Sequence, residues 1–217
     1  MNGTPRQITV SLALSKRFSV EDMEELYSGI RLACQQYHVD IIGGDTSSSL
    51  TGLAISITCI GDADKDKVVY RNGAKDTDLI CVSGDLGAAY MGLQLLEREK
   101  TVLKGEKDIQ PDFTGKEYLL ERQLKPEARK DIIEKLAAAN IVPTSMMDIS
   151  DGLSSELMHI CKQSNTGCRV YEEHIPIDYQ TAVMAEEFNM NLTTCAMTGG
   201  EDYELLFTVP IAAPEKV

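Results

Sequence analysis

The order of strand-like and helix-like apolar segments is what most constrains the fold of this chain. It opens on ITVSLAL (8–14), a strand-like run. Ser19 and Asp22 then form an S-x-x-D capping box ahead of an amphipathic helix whose apolar face is Val20, Met23, Leu26, Tyr27, Ile30, Ala33 and Cys34. VDIIGGD reads as the next strand and GLAISITCIG (52–61) as another, with strong β-propensity. The charged stretch DADKDK (62–67) reads as a turn or inter-domain connection. DLICVSG (78–84) is a strand that turns through Gly84 and Gly87 into the helix AAYMGLQLLEREK, and the polar segment 100–115 is an exposed loop. Pro126 is expected to start a helix, EARKDIIEKLAAA, that ends near Asn140. TSMMDIS is a short strand, and from Asp151 the residues Leu153, Leu157, Ile160 and Cys161 mark one helical face. GCRVYEE, a helix around 179–188 and YELLFTV complete the pattern. Strands and helices mix throughout, so the class is α/β (α+β), with parts at 1–62 and 63–217.

Charge and cysteine usage narrow the chemistry. The net charge of −13 argues against nucleic acid or an anionic membrane as partner, and means that an anionic substrate needs a counter-charge. No apolar run approaches the roughly 20 residues of a membrane helix. The first residues, MNGTPRQITVSLALS, lack a basic region followed by a small-residue cleavage pattern, so a cytoplasmic protein is expected. Six cysteines are scattered without a C-x-x-C pair and read as reduced, buried small hydrophobes.

Three places share one design, an apolar strand ending in glycine and a carboxylate: DIIGGDTSSS with Asp45, MMDISDGL with Asp148 and Asp151, and MTGGEDYELLF with Glu201 and Asp202. Glycines there let backbone N–H groups approach a ligand, as phosphate loops do, but carboxylates repel phosphate. The two features agree only if Mg²⁺ lies between them. Taken singly, each has an ordinary reading. Gly-Gly-Asp is a tight turn, Asp151 a helix N-cap, Arg71 a solvated turn residue, Tyr27 a core residue, and Glu201 with Asp202 a turn cap. Asp148 is harder to dismiss. On a strand, the period of two puts Asp148 and Ser150 on one face and Ile149 on the other, aiming a carboxylate and a hydroxyl together at a helix N-terminus.

Along essentially the whole chain, the segments NGTP, IIGGDT, RNGAKDTD, SGDLGAAYMGL, KPEAR, MDISDGL and TGGEDYELLF closely resemble thiamine-monophosphate kinase, in the aminoimidazole-ribonucleotide-synthetase-like superfamily of ATP-using enzymes. The resemblance implies an N-terminal α/β domain that binds ATP and metal and pairs its strands in a homodimer, followed by a C-terminal α/β domain. It implies direct transfer of the ATP γ-phosphoryl group to thiamine phosphate with several Mg²⁺ ions and no phosphoenzyme. By position, Asp45, Asp148 and Asp151 correspond to magnesium ligands, with Asp45 and Asp148 catalytic. Gly44, Asp45, Arg71 and Ser150 fall where the family contacts ATP, and Tyr27 aligns with a further nucleotide contact. Glu201 matches the substrate-binding glutamate, supported by Asp202 and Tyr203. Against that pattern, an early aspartate motif and an S-D-x-A-A segment with further metal ligands are expected before Met1, and a thiamine-stacking aromatic after Val217. The chain therefore reads as a fragment. The alternatives are another ATP-using enzyme of the superfamily, or a non-catalytic nucleotide- or metal-binding fragment.

Overall fold

The computed structural model describes residues 1–104 and 110–211. The chain divides into two units, Asn2–Val68, and Met1 together with Val69–Val217.

The Asn2–Val68 unit runs β1 (Thr4–Leu14), α1 (Val20–Tyr37), β2 (Asp40–Ser48) and β3 (Leu53–Asp62). Both bonds of the capping box form, Ser19 Oγ accepting from the Asp22 N–H and Asp22 Oδ2 from the Ser19 N–H, so α1 starts where the sequence announces it. The helix carries the chain back to lay β2 parallel to β1, while β3 pairs antiparallel on the other edge, giving the order β2-β1-β3. Ile8, Val10 and Leu12 are buried against Met23, Leu26, Tyr27, Ile30 and Cys34 of α1. IIGGDT is not a tight turn. The strand continues through Asp45 to Ser48, with a register shift beside Gly43 (φ +155°). Gly44 passes so close to β1 that a Cβ there would meet the Val10 carbonyl oxygen at 1.8 Å. Ile41, Ile42, Ile55, Ile57 and Ile60 on the two edge strands are 38–51% exposed.

In the second unit, β4 (Leu79–Val82), β5 (Ser145–Asp148) and β6 (Leu205–Val209) form an antiparallel sheet in the order β4-β6-β5. The central strand LLFTV is buried along its length, and its alternate residues fill two cores. Leu206, with Met147, packs against Leu153, Leu157 and Ile160 of α5 (Leu153–Ser164). On the other face, Leu205, Phe207 and Val209 pack with Met146 against Leu136 of α4 (Lys130–Ala138). A third cluster joins α2 (Ala88–Val102), α3 (Glu117–Leu124), α6 (Tyr179–Glu187) and α7 (Leu192–Thr198) through Met91, Leu119, Met184 and Cys195. Burying such side chains contributes roughly 1.5–3 kcal/mol each.

Several local expectations are corrected. α2 extends to Val102, into the segment read as a loop, of which residues 105–109 lie outside the described residues. The helix expected from Pro126 starts at Lys130, because the Arg129 backbone (φ −80°, ψ 50°) is turned out of helical geometry where its guanidinium bridges Asp131 and Glu204. GCRVYEE, given no element type by the sequence, is irregular and runs into a 3-10 turn at Glu172–His174. The short helices α3 and α7 carry too few turns to show a period in the sequence.

Candidate functional site

β5 and β6 are neighbours, so the loops at their adjoining ends, DISDG after β5 and GGEDY before β6, lie side by side. Three backbone hydrogen bonds of 2.8 Å continue the ladder past the strands: Ile149 N–H to the Glu204 carbonyl, Tyr203 N–H to the Ile149 carbonyl, and Glu201 N–H to the Ser150 carbonyl. Gly200 (φ +69°) slides under this junction, where a Cβ would meet the Ser150 carbonyl oxygen at 2.6 Å. Glu201 (φ +64°) and Tyr203 (φ +53°) both take left-handed backbone, a conformation that costs a non-glycine residue about 1 kcal/mol or more and persists only where neighbours enforce it.

That backbone turns alternate side chains to opposite sides. Outward, the Tyr203 hydroxyl donates to Glu201 Oε2 at 2.9 Å. Its pKa is raised first by that hydrogen bond, then by burial, and then by the charges of Glu201, Asp148 and Asp151, so these carboxylates crowd one region. Inward, Asp202 and Glu204 are each 1% exposed. Asp202 accepts the N–H groups of Gly87 (2.9 Å) and Ala89 (3.3 Å), supplying the side-chain cap that Gly87 cannot give α2. Burial pushes its carboxyl up to about 6 against the pull of those amides and of Arg122. Glu204 receives Arg122 Nη1 at 2.9 Å, Arg129 Nη1 at 2.7 Å and the Ser83 hydroxyl. Asp202 was expected only to support the loop. Glu204 and its partners Ser83, Arg122 and Arg129 were not singled out for roles, and the acidic residue in GGEDYE paired with KPEAR was the available signal.

On the DISDG side, Ile149 is fully buried while Asp148 and Ser150 are half-buried, as the period of two requires. Asp151 does not cap α5. Gly152 (φ +117°, ψ 151°) is the N-cap and gives no side-chain bond, which leaves the Asp151 carboxylate uncommitted. Asp148 also borders an open groove of about 400 Å³ with Tyr70, Arg71, Asn72, Met147 and Gln163. The Arg71 loop is fixed below by Ser164 Oγ, which accepts the N–H groups of Gly73 and Ala74. Asp148, Ser150, Asp151, Arg71 and Glu201 thus belong to one unit. Gly44, Asp45 and Tyr27 belong to the other, where alternation puts Asp45 on the Ser11 face of the sheet while Tyr27 packs on the Val10 face.

Among the described residues no group of three or more His, Cys, Asp or Glu side chains is placed to hold a metal ion. Asp148 and Asp151, making no side-chain hydrogen bond or ion pair among the described residues, do offer two hard oxygen ligands. Mg²⁺ is commonly held by one or two carboxylates, completing its shell with water and phosphate oxygens, so the pair fits that ion.

Residues 1–63 match the family model described as AIR synthase related protein, N-terminal domain. A thiamine-monophosphate kinase of Aquifex aeolicus is 32% identical over 208 residues, which are 96% of this chain and 63% of that protein. The crystal structure of thiamine monophosphate kinase from Aquifex aeolicus superposes with a TM-score of 0.84 at 32% identity, over 97% of this chain and 67% of that one. The solved structure described as "AaThiL complexed with AMPPCP and TMP" gives a TM-score of 0.85 at 31% identity, over 100% and 64%. The chain spans about three fifths of the length of the curated relatives it matches.

Proposed function

Because the chain belongs to the thiamine-monophosphate kinase family, we propose that it serves transfer of the ATP γ-phosphoryl group to thiamine phosphate, giving ADP and thiamine diphosphate. The observation that carries this reading is the joined pair of loops, DISDG and GGEDY, whose Asp148, Asp151 and Glu201 carboxylates crowd one region, Asp148 sharing a groove with Arg71. The complex of a similar protein with AMPPCP, a non-hydrolysable ATP analogue, and TMP supports it.

The acceptor is a phosphate oxygen, largely ionised at neutral pH, so the step needs no side-chain nucleophile and little help from a base. A P–O bond forms to that oxygen as the β–γ bridging bond breaks, and the electron pair leaves on ADP. Asp148 and Asp151 would hold magnesium, and Asp45 is assigned to magnesium by resemblance alone; when bound, the ion would neutralise phosphoryl-oxygen charge. Arg71, the Ser150 hydroxyl and the N-terminal end of α5 would position phosphate. Gly44 and Asp45 would contact ATP. Tyr27 is assigned to the nucleotide by resemblance alone. Glu201, braced by Tyr203, would attract the cationic thiazolium ring of thiamine phosphate.

The same reading includes cytoplasmic location and pairing of two copies through the Asn2–Val68 unit. Five isoleucines exposed on two edge strands favour burial against another sheet. Among the described residues no helix is long and apolar enough to cross a membrane. Incubation with γ-labelled ATP, thiamine phosphate and Mg²⁺ tests the reading. Label in thiamine diphosphate, lost in Asp148→Asn, is expected. Label released only as inorganic phosphate would refute it.

A further inference from the structure

We propose that Glu156 is a positioning residue of the acidic site: its carboxyl group holds the Asp151 backbone, so that the Asp151 side chain, left free of capping by Gly152, is placed for a divalent cation, and it does so at a cost to stability. The proposal rests on the reading that Asp148 and Asp151 bind magnesium.

Helix α5 begins with backbone N–H groups that lack intrahelical acceptors. Asp151 stands one residue before its N-cap and is of a type that caps helices readily. Were it the cap, its carboxylate would be spent on the amides of the first turn. Gly152 prevents this, since its backbone (φ +117°, ψ 151°) moves the cap one residue on to a position with no side chain. Glu156, in the first turn of α5, reaches back instead, and its Oε1 accepts the Asp151 N–H at 3.3 Å.

The placement of Glu156 is poor for any purely structural end. It is 1% exposed, and its Oε2 is buried without a hydrogen-bond partner among the described residues. It stands between Leu153, Leu157 and Ile160, which pack in the core below the loop. A buried carboxyl with half its acceptor capacity unmet destabilises, and an unbranched apolar side chain would fill the same space without that cost. What the carboxyl supplies, and methionine cannot, is the hold on Asp151. Groups that orient a metal ligand in this way commonly alter metal affinity 10- to 100-fold when removed.

The test uses Mn²⁺ as the probe, titrated by electron paramagnetic resonance in the presence of AMPPCP, with thermal unfolding of each variant followed by circular dichroism. Glu156→Met should bind Mn²⁺ about tenfold or more weakly, yet melt at or above the temperature of the unaltered chain. Glu156→Gln, whose amide oxygen still accepts the Asp151 N–H, should bind nearly as the unaltered chain does. Wild-type affinity in Glu156→Met overturns the positioning role. A lower melting temperature in Glu156→Met, or loss of folding, overturns the claim that the carboxyl acts against stability. Mn²⁺ binding that is absent in the unaltered chain, or undiminished in Asp148→Asn, overturns the metal reading of DISDG and the role of Glu156 with it.

Discussion

Replacing Glu204 by glutamine keeps the shape of the side chain but removes the charge on which Arg122 and Arg129 converge. Glu204 is 1% exposed, whereas the two arginine side chains are 16% and 22% exposed. Removing one partner of a buried ion pair typically costs about 3–5 kcal/mol, because the remaining charge is left uncompensated. Here both guanidinium groups still touch solvent and keep other acceptors: Arg122 the Asp85 carbonyl, Arg129 the Asp131 carboxylate. The lower end, about 3 kcal/mol, is therefore expected. For a unit of this size, each kcal/mol lowers the melting temperature by about 2–4 °C, which puts the drop at about 6–12 °C. Ser83→Ala removes the hydroxyl that bridges Glu204 and the Leu205 N–H, and should cost about 1–2 kcal/mol. Circular-dichroism melts at pH 7, backed by urea titrations, compare the two. A loss in Glu204→Gln of under about 1 kcal/mol, or smaller than that in Ser83→Ala, would refute the view that the two arginines anchor the inner side of GGEDYE.

Two further perturbations separate the inner from the outer side of that segment. Asp202 is raised by burial from 3.8 to about 6, so folding favours its protonated form. The stability this gives is complete below about pH 3.8 and is lost as pH rises through about 6. The difference of about 2 pH units corresponds to at most about 3 kcal/mol. Asp202→Asn should therefore gain on the unaltered chain between pH 4.5 and 7.5 in urea unfolding midpoints, and equal pH profiles would contradict the assignment. Gly200→Ala places a methyl group against the Ser150 carbonyl oxygen in a left-handed backbone, which should cost about 1–3 kcal/mol and weaken Mn²⁺ binding at DISDG by parting the two loops.

Much of the fold was legible because local chemistry decided it. Ser19 and Asp22 mark the start of α1, and the alternation through Met146–Ser150 separates Ile149 from Asp148 and Ser150. What was not legible depends on contacts distant in sequence. Glu204 meets Arg122 and Arg129 from 82 and 75 residues away, and Arg129 pulls the start of α4 four residues past Pro126. Asp151 looked like a helix cap because its type and position fit the rule. Only the backbone of Gly152 and the reach of Glu156 show why its carboxylate is left uncommitted. Likewise Gly-Gly-Asp, taken singly, reads as a turn by composition, and the strand expected in VDIIGGD runs on through it because Gly44 lets β2 approach Val10.

The most direct measurement of the site is a calorimetric titration of the chain with AMPPCP, with and without Mg²⁺, alongside Asp148→Asn and Asp151→Asn. Binding that requires Mg²⁺ in the unaltered chain and falls at least tenfold in either variant is expected, since each removes an ionised ligand oxygen. Binding indifferent to Mg²⁺, or equal in the variants, would contradict the assignment of these two carboxylates to a metal–nucleotide site.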